Sequence, residues 1–375
     1  MHRPTDSLVP GQTIGILGGG QLGRMLALAA ARLGLHVHIY DPDERCPAAE
    51  VSFAHTVASF EDAASMASFV SAVDAITFEW EGVPTNALAG LARTPPIRPS
   101  VAALRTLQDR LAEKQRLSAF GLRTAACEEV GSPEELAAAL ERVGCPAILK
   151  ARRRGGAGSG HVHIARPDDL DEALALAAAQ PCVLEEAVVF EREISVIAAR
   201  SADGQRTCYE PGENLHQEGI LHTTVVPAAL TSALQRAARF SAEVVLEALD
   251  YVGVLCIEFL VTADGLVVKG VTPRVHNSGH WTQTGCRVDQ FEQHIRAVAG
   301  WPLGDTGRHA DVRMVNLIGD GVERWAEYAV EPASALHLYG KVGVRPGRKM
   351  GHVNIVERGH DTSVPVQPWT SPLGR

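Results

Sequence analysis

A chain of 375 residues, 46% hydrophobic and 21% charged, has room for two or three domains with cores of their own. Its formal net charge of −9 argues against a nucleic-acid or anionic-membrane partner, and no apolar run approaches a membrane span. The scattered cysteines form no zinc-type cluster, and Met1–Gln12 lacks a signal-peptide apolar region, so a cytoplasmic protein with reduced thiols is expected.

The first predicted strand, Thr13–Leu17, opens into Gly18-Gly19-Gly20-Gln21-Leu22-Gly23 and an alanine-rich helix. The glycines satisfy G-x-G-x-x-G, which brings backbone N–H groups and a helix N-terminus to an anion. A dinucleotide, with Asp41 at the end of the next strand as ribose ligand, is the first reading; a single phosphate monoester fits the same physics. The strand Asp74–Glu81 has an acidic end, with Glu79 and Glu81 placed to accept from sugar hydroxyls or simply to be solvated. A proline-rich stretch, Thr94–Ser100, suggests a domain boundary. Ser100 then N-caps an amphipathic helix that runs through Lys114, with Arg110 and Lys114 on a charged, exposed face.

The strand Pro146–Lys150 ends in a lysine beside the basic, glycine-rich segment 151–161, a pairing that suits phosphate without being a P-loop. Strands at Val183–Val188 and Glu191–Ile197 follow. An open backbone edge after Glu185 would read an adenine ring, and Glu193 would hold a ribose. Val254–Val261 and Leu266–Val268 form a hairpin around Ala263-Asp264-Gly265. Glu258 stands inside the apolar first strand, either half-exposed or as a metal ligand facing a nucleotide. A polar loop, Pro273–Trp281, completes the unit. The chain has only five lysines (Lys114, Lys150, Lys269, Lys341 and Lys349), and its other positive side chains are arginines, so each lysine is a position to follow.

In this order the pieces resemble an ATP-grasp enzyme, and more narrowly the N5-carboxyaminoimidazole ribonucleotide synthase family. The resemblance rests on GILGGGQLGRM at 15–25, ITFEWEGV at 76–83, LQDRLAEK at 107–114 and FEREISVI at 190–197. It continues in ENLHQEGILHTTVVPA at 213–228, PRVHNSGHWTQ at 273–283 and HLYGKVGVRPGRKMGHVN at 337–354. It implies an α/β and α+β chain with an ATP-grasp fold. A doubly wound, Rossmann-like N-terminal domain would cover 1–98 and the ATP-grasp domain 99–305, with a lid at about 118–182. A small β-rich domain would cover 306–375.

The resemblance also implies ATP, bicarbonate and 5-aminoimidazole ribonucleotide as partners, Mg2+ as metal and a homodimer. ATP would be held by Arg110, Lys150, Glu185, Val188, Glu193 and His216. The ribonucleotide would lie on Gly20, Gln21, Leu22, Glu79, Asn277, Arg348 and Lys349, with Lys341, Arg274 and His276 as catalytic residues and Glu258 as metal ligand. Three departures fall on chemistry. Lys269-Gly270 stand where the family has Asn-Glu, the Glu being the partner of Glu258 on magnesium. Gly156 and Ala157 replace the lid Tyr and Asp, and Gln217 replaces an Arg. They leave a second expectation beside the synthase: a degenerate relative that binds nucleotide or ribonucleotide with altered or lost catalysis.

Overall fold

The computed structural model describes residues 7–85, 95–153, 160–167 and 170–357. The apolar strand β1 (Thr13–Leu17) leads into α1 (Gln21–Arg32), followed by β2 (His36–Tyr40), β3 (Ala54–Thr56), α2 (Ala63–Ser71) and β4 (Ala75–Phe78). These strands lie parallel in the order β3-β2-β1-β4, the doubly wound arrangement that the alternation predicts. α1 buries Leu22, Met25, Leu26, Ala29 and Ala30 at helical spacing. Each large apolar side chain so buried is worth about 1.5–3 kcal/mol.

Ser100 caps α3 (Val101–Gln108) by accepting from the Ala103 N–H. The single helix expected through Lys114 is in fact two. The chain turns extended at Asp109, which caps α4 (Arg110–Ala119) by accepting from the Leu111 and Ala112 N–H groups. Arg152 holds the same carboxylate at 2.9 Å. The break turns Lys114 inward: it is 3% exposed, not on a solvated face.

A second sheet is formed by β5 (Cys127–Val130), β6 (Ala147–Ala151), β7 (His161–Ile164) and β8 (Cys182–Glu186), antiparallel in the order β5-β8-β6-β7. Helices α5 (Leu136–Val143) and α6 (Asp171–Ala179) close its core with Leu136, Ala139, Leu140, Ala173 and Ala177.

The largest sheet collects β9 (Arg192–Arg200), β10 (Arg206–Cys208), β11 (Gly212–Gln217), β12 (Ile220–Val226), β13 (Gly253–Thr262), β14 (Gly265–Thr272), β15 (Asp311–Ile318), β16 (Ser334–Leu338) and β17 (Lys349–Glu357). Their order is β14-β13-β9-β11-β12-β15-β17-β16, with β10 beside β9. The C-terminal strands therefore extend the same sheet, joined where β15 pairs with β12 from Val312↔Val226 to Val315↔Thr223.

Residues of β9 and β13 alternate between two cores. Val196, Ala198, Leu255 and Ile257 pack with Ala238, Ala242, Val245 and Leu246 of α7 (Ser232–Ala248). Ile197, Ala199, Val254 and Cys256 pack on the opposite face with Phe291 and Ile295 of α9 (Gln290–Val298), which follows the short α8 (Thr282–Gly285). Carried further along the strands, that second face bears Glu193, Ser195 and Glu258.

His294 of α9 fastens the parallel sheet to this face. Its Nδ1 accepts from the Val254 N–H at 3.0 Å, and its Nε2 lies 2.7 Å from Thr77 Oγ1 on β4. Arg98 adds a bond from Nη1 to the Val298 carbonyl at 2.8 Å. The glycine turn after β1 and Glu258 on β13 thereby open onto one cavity. Among the described residues, no helix is long and apolar enough to cross a membrane.

Candidate active site

The glycine turn uses most of its amides internally. Gly19 N–H donates to Asp41 Oδ2 at 2.7 Å, and the Gly20 and Gly23 N–H groups donate to the Glu79 carboxylate at 3.1 and 3.0 Å. Asp41 thus braces its own turn and does not project as the ribose ligand of a dinucleotide site. The glycines are needed for this approach: a Cβ on Gly18 (φ +103°) would come within 2.4 Å of Glu79 Cγ, and one on Gly20 within 2.6 Å of Glu79 Oε1. Burial pushes the Glu79 carboxyl up, against the Gly23 amide, Arg274 and the Gly20 amide. Gln21 and Leu22 begin α1; Leu22 packs into the core, and Gln21 reaches the cavity.

That cavity has a volume of about 400 Å³ and is lined by Gln21, His216, Glu258, His276, Lys341 and Lys349, among others. It joins the first helix, the middle of the large sheet and the C-terminal strands. Lys341 Nζ donates to the Lys349 carbonyl at 2.8 Å. Burial, with Arg348 nearby, brings the Lys341 ammonium down to about 8. Burial and Arg274 bring Lys349 to about 8 as well, with Glu258 opposing. Burial lowers His276 to about 4, so its ring is neutral at physiological pH. Its Nδ1 accepts from the Ser278 N–H at 3.3 Å and lies 2.8 Å from Ser278 Oγ, which leaves the Nε2 side to carry the ring proton.

Arg274 stands behind the cavity. Its Nε donates to Glu81 Oε2 at 2.6 Å; burial works against its charge, and Glu81 and Glu79 outweigh burial. The loop bearing Glu81 is fixed by buried Gln108, whose Nε2 donates to the Glu81 and Val83 carbonyls at 2.7 and 2.8 Å. Of the expected substrate ligands, Asn277 is turned away from the cavity and Arg348 is engaged by its own loop. Asn277 is 7% exposed and exchanges amide bonds with Asn316, at 3.0 Å from Asn277 Nδ2 to Asn316 Oδ1. Arg348 donates to the Val342 and Gly343 carbonyls, and so shapes the loop between Lys341 and Lys349. The expected polar loop at Pro273–Trp281 is a buried one, with Ser278 and His280 fully covered and Trp281 1% exposed.

The expected nucleotide residues form two ionic groups. Lys150 and Lys114 place their Nζ atoms 2.8 and 3.1 Å from one oxygen of Glu185, and Arg110 Nε donates to the Ala151 carbonyl at 3.1 Å. Burial would raise the Glu185 carboxyl; the two lysines hold it low. β8 is paired on both sides, and Ala187 N–H donates to the Pro146 carbonyl, so backbone pairing extends through Ala187 and ends short of Val188. The open backbone edge expected after Glu185 therefore lies beyond Ala187. In the second group, His216 Nδ1 and Lys269 Nζ lie 3.0 and 2.8 Å from Glu193 Oε2. Against burial, they bring that carboxyl down to about 2.

The aim of Lys269 comes from the backbone. The β13–β14 register passes from Glu258↔Gly270 to Phe259↔Val268, so Lys269 is the extra residue of a β-bulge. A bulge sets two residues against one and re-aims a side chain. Val268 and Val271 face the α7 core, while Lys269 reaches Glu193 and Gly270 sits opposite Glu258 on the ligand face. Magnesium takes near-octahedral oxygen ligands. Here the bulge presents an ammonium and a glycine, and among the described residues no three His, Cys, Asp or Glu side chains group as a metal site. The residues present do not fit the two-carboxylate magnesium site that the resemblance implies. Gly156, Ala157 and their neighbours lie outside the described residues.

Sequence reasoning missed Lys114 and the bond from Lys269 to Glu193. The scarcity of lysine was the signal for both: Lys114 and Lys150 meet on Glu185, Lys269 meets Glu193, and Lys341 and Lys349 line the cavity.

Comparison with known proteins agrees with this geometry. Residues 11–108 match the ribonucleotide synthetase preATP-grasp domain, 115–291 the ATP-grasp domain, and 313–363 the phosphoribosylaminoimidazole carboxylase C-terminal domain. N5-carboxyaminoimidazole ribonucleotide synthase of Brucella melitensis is 50% identical over 94% of this chain and 98% of its own length. The chain belongs to the N5-carboxyaminoimidazole ribonucleotide synthase family. A crystal structure of the family's ADP complex superposes with a TM-score of 0.91 at 39% identity, covering 94% of both chains. The Aspergillus clavatus synthase, crystallised with ADP and 5-aminoimidazole ribonucleotide, gives 0.86 at 31% identity over 92% of this chain and 94% of that one.

Proposed function

We propose that this chain catalyses the ATP-dependent carboxylation of 5-aminoimidazole ribonucleotide with bicarbonate, giving N5-carboxyaminoimidazole ribonucleotide, ADP and phosphate. The observation that carries the reading is the cavity in which Gln21, His276, Lys341 and Lys349 meet around Glu258. A bicarbonate oxygen attacks the γ-phosphorus of ATP and ADP leaves, forming carboxyphosphate. The exocyclic amine of the ribonucleotide then attacks the carboxyl carbon, the C–O bond to phosphate breaks, and phosphate departs with the bridging oxygen and the proton lost from the amine.

Each residue has a role that its geometry favours. Lys341 and Lys349 are compact cations for the substrate phosphate and the transferred carboxylate. His276, neutral and fixed by Ser278, offers an N–H at Nε2 to an oxyanion without adding charge. Arg274 is held by Glu81 and adds positive potential from behind. Lys150 and Arg110 face the nucleotide phosphates, with buried Lys114 steadying Glu185 behind Lys150; Val188 begins the adenine edge, and Glu193 accepts from ribose. A cytoplasmic location and a homodimer belong to the same reading. ADP release measured with ATP, bicarbonate and the ribonucleotide tests it: release requires all three, and release that ignores the ribonucleotide contradicts it.

A further inference from the structure

Four of the five lysines are accounted for by the proposed reaction, and the fifth, Lys269, is not. The chain carries 35 lysines and arginines together, five of them lysine. Lysine is a compact ammonium on a flexible stem, whereas arginine is a rigid fork. In a chain that uses arginine nearly everywhere else, Lys114 and Lys150 converge on Glu185 while Lys341 and Lys349 line the cavity. Lys269 follows the same pattern. The bulge turns it onto the ligand face, its ammonium is 2.8 Å from Glu193, and the side chain remains 35% exposed. His216, the second partner of Glu193, lines the cavity itself.

The cavity lining carries Lys341 and Lys349 against Glu258, and beside it Lys269 and His216 share Glu193. A surplus of fixed positive charge suits a polyphosphate that arrives without its own counterion. The adjoining position, Gly270, brings no oxygen to a metal. Taking ATP as the nucleotide of the proposed reaction, we infer that Lys269 is a nucleotide-binding residue whose ammonium replaces a metal ion's charge at the phosphates. When ribose hydroxyls donate to Glu193, the flexible lysine turns from the carboxylate to a phosphate oxygen. Nucleotide diphosphate binding by this chain is therefore independent of divalent metal.

Calorimetric titration of the full chain with ADP and with adenosine, each in EDTA and in magnesium, tests the inference. The wild-type chain binds ADP in EDTA within about twofold of its affinity in magnesium. Lys269→Met weakens ADP about tenfold, equivalent to about 1.4 kcal/mol, and leaves adenosine within about twofold. Lys269→Arg, which keeps the charge, recovers part of the ADP loss. ADP binding that collapses in EDTA overturns the inference, as does an equal effect of Lys269→Met on ADP and adenosine, which would mark a role through ribose or folding. ADP binding absent in both buffers overturns it together with the ATP assignment. Metal-independent ADP binding without ribonucleotide carboxylation upholds the inference and counts against the proposed reaction alone.

Discussion

Arg274 Nε lies 2.6 Å from Glu81 Oε2, a bond that ties the loop after β14 to the loop after β4. It holds together the two halves of the cavity, one built on the parallel sheet and one on the large sheet. Removing one partner of such a pair leaves the other charge in a poorly solvated place. Arg274→Met is expected to cost about 2 kcal/mol of stability, at the low end because the two side chains are still 19% and 21% exposed. Adding Glu81→Gln should recover part of that loss. Denaturant midpoints of the single and double variants measure the coupling.

Ligand binding is expected to depend on pH through Lys341 and Lys349. Both ammoniums sit near 8 in the folded chain, below the ordinary lysine value. Between about pH 8 and 10.5 the unfolded chain binds more protons than the folded one, so these groups make stability rise with pH in that window. Binding has the opposite sign: affinity for the ribonucleotide falls above about pH 8 as the ammoniums deprotonate. An anionic ligand pulls the protons back, so calorimetry near pH 8 in buffers of different ionisation enthalpy should show proton uptake on binding.

Restoring oxygen ligands at the bulge should create metal dependence. In the combination Lys269→Asn with Gly270→Glu, a second carboxylate faces Glu258 across the strand pair, where like charges repel. The double variant should melt lower than wild type in EDTA and regain stability when magnesium is added. The wild-type melting temperature should move little with magnesium.

Asn277 should behave as a structural residue. Its amide is engaged with Asn316, away from the cavity lining. Asn277→Ala strands a buried amide and should cost about 1–3 kcal/mol of stability. Michaelis constants of the folded variant, measured below its melting temperature, should stay within about threefold of wild type.

Much of this arrangement is legible in the sequence because short-range chemistry dictates it. The β1–glycine turn–α1 unit follows from an apolar strand, glycines that admit the Glu79 carboxylate, and helical spacing of Leu22, Met25 and Leu26. The hairpin follows from Ala263-Asp264-Gly265. The remainder depends on pairings between distant segments. Asp109 has to be seen accepting from Leu111 and Ala112 before one helix becomes two, and only then does Lys114 turn inward. Asn277 looks like a loop amide open to ligand until Asn316, 39 residues later, takes it. The bulge at Lys269 is a register shift between strands, which periodicity within one strand does not reveal.

Carboxyphosphate formed in the cavity of His276, Lys341 and Lys349 would carry a bicarbonate oxygen into the released phosphate. With bicarbonate labelled with oxygen-18, ATP and the ribonucleotide, mass spectrometry of the released phosphate should find one labelled oxygen, delivered as the carboxyl group passes to the amine. Phosphate released without label, at a rate equal to ATP consumption, would contradict the account.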